Sequence, residues 1–230
     1  MALATRNSWA AVWLAAGLGC CAGPGRAGGA APDPAAGEFA AYVQHSYHEA
    51  QARYQAAPGQ ANAAWQFART CFDLAELATN KTQRASLAEQ GIAACQQALT
   101  RETNSAPAYY YLGMNLGQLA QTRGLSALRL VSQMEHAFIR ARGADPKFDQ
   151  AGPDRNLGLL YRDAPAIGSV GSRRKAREHL TRAVKLAPQY PENRLNLIET
   201  YLKWGEPNAA RSDLAALVQA LPSARTNLTG

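Results

Sequence analysis

β-Branched residues are sparse in this chain, and no stretch alternates apolar with polar residues for long, which excludes a sheet-based fold. There is no HExxH pair, no glycine-rich phosphate loop and no serine elbow, so zinc proteases, P-loop enzymes and α/β-hydrolases drop out. The four cysteines form no metal-type pair, and no cofactor is implied. No apolar run is long enough for an ordinary membrane-spanning helix. What the chain has in abundance is alanine and leucine. Hydrophobic residues make up 47% of 230 positions, enough for one continuous helical core.

Residues 1–22 read as an export signal: Arg6 is a thin positive region, Trp9 to Gly19 a short apolar one, and Cys20-Cys21 closes it. Gly17-Leu18-Gly19 before Cys20, and Leu18-Gly19-Cys20 before Cys21, give an incomplete lipoprotein-type junction. Lipidation of Cys20 or Cys21 and cleavage to a soluble periplasmic form are therefore both open. Residues 23–37, rich in Gly, Pro and Ala, form a linker, and 38–222 form the folded domain. Residues 223–230, without apolar periodicity, form a disordered tail. Cys71 and Cys95 lie on the two helices of one hairpin. Export makes a disulfide between them one reading, and two small buried residues the other. The formal charge of +7 falls to +5 without the first 31 residues, which is modest. The cluster of Arg173, Arg174, Lys175, Arg177, Arg182 and Lys185 reads as a solvated helix face, and export disfavours a nucleic-acid partner.

The domain is organised by helix pairs. Ala176, Leu180, Ala183, Leu186 and Pro188 are followed by Leu197, Tyr201, Gly205, Ala210 and Leu214, with small residues at close approaches and a turn glycine between helices. This is the tetratricopeptide pattern. The same order recurs around Trp65, Ala68, Phe72 and Gly91, around Tyr111, Gly113 and Met134, and around Leu157, Gly158 and Tyr161. The fold class is therefore all-α, a right-handed superhelical array of about four irregular tetratricopeptide hairpins. Phe39, Val43, Tyr47, Ala50 and Tyr54 make an N-terminal capping helix. Gly113 and Gly158 are expected where paired helices touch, while Ile198 and Arg69 replace them in the fourth and first pairs. Between the Tyr201 and Ala210 positions the fourth pair has 8 residues; the equivalent gaps are 18, 17 and 14. The first two predict longer helices, and the third predicts a loop over 163–171. The last helix, Leu214 to Leu221, is apolar nearly all round and lacks a capping helix, which predicts self-association.

Few residues suggest chemistry. His45, His48 and Glu49 share a helix face without further ligands and read as solvated, as do His136 and His179. Asp145, Asp149, Asp154 and Asp163 read as caps and turns. The first helix of each pair should line the inner surface, which nominates Gln66, Thr70, Tyr110, Met114, Arg155, Leu159 and Leu195 as a ligand-binding face. Arg155 would orient an anionic end there. The alternative keeps Tyr110, Met114 and Leu159 in the core and pairs Arg155 with a local aspartate.

The block Tyr110 to Gly117, with Asp145-Pro146-Lys147-Phe148, Gly152 to Tyr161, Gly168 to Gly171 and Asn193-Arg194-Leu195, resembles the T-component family of tripartite ATP-independent periplasmic (TRAP) transporters. The resemblance implies an exported, often lipid-anchored repeat protein with a pore and a trimeric assembly. It also implies a periplasmic substrate-binding protein as partner. The expected function is thus a non-enzymatic accessory of solute uptake. The alternative is a tetratricopeptide scaffold for protein–protein interaction in an envelope complex.

Overall fold

A computed structural model describes residues 34–124 and 126–228, with side chains from residue 36 to 221. Residues 1–33, which include the expected signal, most of the linker and both cysteines of the lipidation reading, lie outside the described residues. The described chain is entirely helical. A first helix, α1 (Pro34–Ala56), precedes four antiparallel pairs: α2 (Ala61–Glu76) with α3 (Lys81–Arg101), α4 (Ala106–Thr122) with α5 (Ala127–Ala144), α6 (Phe148–Asp163) with α7 (Arg173–Leu186), and α8 (Pro191–Lys203) with α9 (Pro207–Leu228). α1 covers the open side of α2, as a cap should.

Local chemistry explains the boundaries. The Asn80 side chain accepts from Gln83 N at 2.8 Å to start α3, and Ser172 Oγ accepts from Lys175 N at 3.3 Å to start α7. Pro107 and Pro191 occupy the first turns of α4 and α8, where a missing N–H costs nothing. Gly205, at φ 72°, takes the left-handed turn that ends α8. The long gaps in the first two pairs are helix, and 164–172 is an extended connection, as the spacing predicts.

The first helices pack on one another (α2 on α4, α4 on α6, α6 on α8), while α3, α5 and α7 each cover the two first helices beside them and α9 packs on α8. That layering leaves α4 in contact with four helices and buries most of its circumference. Close approach depends on missing side chains. A Cβ on Gly113 would stand 2.6 Å from the Phe138 ring, and one on Gly158 2.5 Å from Leu180 Cγ. In the fourth pair Ile198 is buried, and in the first Arg69 points outward, so those pairs meet without a glycine contact. The core runs as one cluster from Tyr47 to Ala176, and a second joins Leu159, Leu180, Leu197, Tyr201 and Leu217.

One open alternative closes here and one expectation fails. Of the two cysteine readings the structure shows the small buried pair, Cys71 and Cys95 being both buried and free. They act as small core residues, and burial pushes the Cys71 thiol up to about 12. Helix α9 also continues to Leu228, through most of the stretch read as a disordered tail.

Candidate binding groove and the arginine hub beneath it

The entry to α6 is the most unusual backbone in the structure. Asp149, Gln150 and Ala151 have φ of 48°, 55° and 64°, three consecutive left-handed residues without a glycine. Each such residue costs about 1–2 kcal/mol, so this turn persists only because its surroundings fix it. Arg155 does most of that. Its Nη1 donates to Asp149 O at 3.2 Å, Gln150 O at 3.3 Å and Asn193 Oδ1 at 3.1 Å. Its Nη2 donates to Asp149 Oδ2 at 2.6 Å and to the Tyr110 hydroxyl at 3.3 Å. Asn193 Nδ2 donates to Gln150 O at 2.9 Å and to Ala183 O at 3.2 Å, tying α8 and the end of α7 to the same turn. The Tyr110 hydroxyl donates to Asp149 Oδ2 and accepts from Asn156 Nδ2 at 3.0 Å. Burial, and then the Asp149 carboxylate, raise the Tyr110 hydroxyl well above its ordinary range. Gly152 is required beneath it, since a Cβ there would stand 2.7 Å from the Tyr110 ring.

This hub settles how the nominated residues are used. Tyr110, Met114, Arg155 and Leu159 are all buried, and Arg155 is held by Asp149, so they form core rather than a ligand-binding face. The enclosed space nearby is an apolar crevice of about 30 Å³ between α4, α5 and α6, lined by Gly117, Phe138, Leu159 and others. It has room for little more than a water molecule. Leu195 does face outward, in an exposed stripe with Glu199 and Leu202.

Gln66 and Thr70 sit elsewhere, in an open polar cavity of about 230 Å³ between α1 and α2. Tyr42, Ser46 and Arg53 form one wall, and Gln66, Arg69, Thr70 and Asp73 the other. Arg69 Nε lies 3.8 Å from Asp73 Oδ2 and also feels Tyr111, Asp149 and Tyr42. Burial pushes the Asp73 carboxyl up to about 6, against the pull of Arg69 and with help from Glu76 and Asp149. Glu192 is likewise raised by burial and lowered by Arg155, with Glu199 and Asp149 adding repulsion. Charged groups thus recur along the first helices, from Arg69 and Asp73 on α2 to Asp149 at the entry of α6 and Glu192 on α8.

The sign of the Asp73 shift makes a prediction. A carboxyl raised from 3.8 to about 6 in the folded state is penalised wherever it is ionised. Its penalty is absent below the unfolded pKa and grows as pH rises through that window. Asp73→Asn is expected to melt above wild type at neutral pH and level with it below pH 3.8; thermal unfolding at both pH values checks this.

The aspartates divide. Asp145 is a cap as expected, its Oδ1 accepting from Lys147 N at 2.8 Å. Asp154 is fully buried instead, 2.7 Å from His179 Nδ1, 3.4 Å from Arg182 Nε and 3.9 Å from Arg142 Nη1. His179 is therefore buried, contrary to the solvated reading, because its partner comes from α6 and not from its own helix. Asp163, also buried, is held by Arg162 at 2.7 Å and Lys203 at 2.6 Å. Part of the α7 basic cluster is likewise committed, Arg177 to Glu206 at 2.7 Å and Lys175 to Glu135 at 3.6 Å. His45 meets only Glu49, at 3.3 Å and in solvent. Among the described residues no three His, Cys, Asp or Glu side chains gather where a metal could be held.

Antiparallel helix pairs stacked through glycine contacts, with charged groups recurring along the first helices, define a tetratricopeptide-type solenoid. Solved structures agree on that fold. A thermophilic TPR protein of Thermus thermophilus matches with TM-score 0.62 and 20% identity, over 84% of this chain and 90% of its own. MamA matches with TM-score 0.52 and 17% identity, over 84% of this chain and 94% of its own. At these identities the likeness concerns the fold alone. No curated protein matches the sequence. Residues 38–136 are similar to the family described as Regulator of microtubule dynamics protein 1-3. That match overturns the TRAP T-component resemblance. The block that carried it, 145–195, is accounted for physically by the left-handed entry of α6 and the Arg155 and Asn193 contacts that hold it.

Proposed function

We propose that this chain is a protein-binding scaffold that holds a segment of a partner along its first helices. The observation that carries this is the open polar cavity between α1 and α2, lined by Gln66, Arg69, Thr70 and Asp73, together with the exposed stripe of Leu195, Glu199 and Leu202 on α8. Tyr110, Met114 and Leu159 are buried and Arg155 is engaged by Asp149, so the ligand-binding face expected there is filled. A photo-cross-linking residue at Thr70 and another at Leu195, introduced in the native cell, test the proposal. It predicts adducts with one and the same protein at both positions, lost when Arg69 is changed to Glu. Adducts only from an outer position such as Arg140 would overturn it. The family similar over 38–136 is described by microtubule dynamics, which makes a cytoskeletal protein one partner class for the adduct to reveal.

Two further parts of the reading are proposals. Leu214, Val218 and Leu221 are 48%, 58% and 38% exposed at helical spacing on α9, and a second copy is the proposed cover. Val218→Glu is expected to shift the light-scattering mass at micromolar concentration to that of a monomer; a wild type already monomeric would refute the idea. Export rests on Trp9 to Cys21. Intact mass from the native cell decides it, since a chain retaining Met1 to Gly19 was never processed.

A further inference from the structure

We propose that the edge of the solenoid formed by the tips of its four helix pairs docks onto an anionic lipid surface. Because the helices of each pair are antiparallel, every turn from first to second helix falls at this one edge. At each turn a large apolar side chain stands in solvent close in sequence to a basic one: Leu77 with Lys81, Leu128 with Arg129, Ile167 with Arg173, and Leu202 with Lys203. Ile167 is 95% exposed on the connection before α7. The connections at the opposite edge, 57–60, 102–105, 145–147 and 187–190, expose no large apolar side chain. Single exposed apolar residues are ordinary. Their recurrence at every tip beside a cation, and their absence from the other edge, is what needs a cause.

A lipid interface supplies that cause. Aliphatic tips gain by leaving water, and Lys81, Arg129 and Arg173 meet lipid phosphates, whereas Lys203 is held by Asp163 at 2.6 Å. A rigid protein partner prefers a contiguous apolar patch, whereas a fluid surface accommodates single residues spaced by the repeat. The acids near the tips are already engaged: Glu76 by Gln118, Glu206 by Arg177, and Asp163 by Arg162 and by Lys203 itself. Between the first two tips lies a shallow depression of about 380 Å³, lined by residues including Lys81, Ser86, Glu89 and Arg123, with Glu89 held by Arg123 at 2.9 Å. Chain direction agrees. Tyr47 bonds Gln90 and Tyr54 reaches Gln97, so α1 runs parallel to α3, and the chain enters α1 at Pro34 from this same edge.

Sedimentation of the full chain with vesicles tests this, using phosphatidylcholine alone and phosphatidylcholine mixed with phosphatidylglycerol. Binding is expected to the anionic vesicles only and to fall with added salt. Arg129→Glu is expected to weaken it about tenfold, and Ile167→Ser several-fold. Lys147→Glu, the same charge change at the opposite edge, should leave it nearly unchanged. All three positions are exposed, and circular dichroism confirms that the variants fold. A wild type that ignores anionic vesicles at low salt overturns the proposal. Equal losses from Arg129→Glu and Lys147→Glu would make the attraction diffuse, and binding indifferent to both tip variants would place it in the N-terminal stretch; either result also overturns it. Binding to polyglutamate but not to vesicles would make the edge a protein interface instead.

Discussion

Arg155→Ala is expected to lower folding stability by about 3–5 kcal/mol, the cost of removing one member of a buried charged network. The side chain is 3% exposed, and its loss strips a donor from two backbone carbonyls, from Asn193 Oδ1 and from the Tyr110 hydroxyl. The Asp149 carboxylate is 40% exposed and can be rehydrated, so the ion pair itself contributes little. The larger part comes from the donors lost to Asp149 O and Asn193 Oδ1, Gln150 O keeping its bond from Asn193 Nδ2, and from a three-residue left-handed turn that no longer has its clamp. Arg155→Lys should recover little, because a single ammonium cannot span the five acceptors that the planar guanidinium reaches. Urea unfolding of the purified variants measures both effects. A loss under about 1 kcal/mol for the alanine variant would mean that the turn holds itself, and the hub would lose its role.

Gly158→Ala is expected to cost about 1–3 kcal/mol, the usual penalty for overpacking a filled site. The added methyl would stand 2.5 Å from Leu180 Cγ and 3.1 Å from Leu180 N. The side chain can swing away only into a core in which Leu180 is fully buried, and the backbone contact cannot be relieved without sliding α7 along α6. Leu180→Ala alone should cost about 2–5 kcal/mol through the cavity it leaves. Combined, the two changes should cost clearly less than the sum of the singles, because the new methyl enters the space that Leu180 vacates. Strict additivity in the double-mutant cycle would show that the glycine is not there for close approach.

The repeat class was legible because its signals are local. Glycine at 113 and 158, the prolines at 146 and 188 after the second and third pairs, and apolar residues at helical spacing describe contacts between helices that are also neighbours in sequence. The gap lengths distinguished extra helix in the first two pairs from a loop in the third for the same reason. The binding face was not legible. A first helix in this stack is packed on several sides, so periodicity cannot tell the inner strip from the core; Tyr110, Met114 and Leu159 stayed open between the two, and the structure buries them. Gln66 and Thr70 reached an open cavity, but through α1, whose packing against α2 is a tertiary fact.

By itself, then, the order of small, apolar and turn residues determined that this protein is an all-helical stack of four pairs behind a capping helix. Tertiary structure alone decided the electrostatics. Asp154 finds His179 across 25 positions, Arg155 finds Asn193 across 38, and Tyr110 finds Asn156 across 46. None of these pairs shares a helix, so no periodicity announces them. The left-handed turn at 149–151 contains no glycine and carries no signature of its own. It exists because Arg155 of the same helix, with donors from Tyr110 on α4 and Asn193 on α8, makes a strained backbone the lower-energy choice.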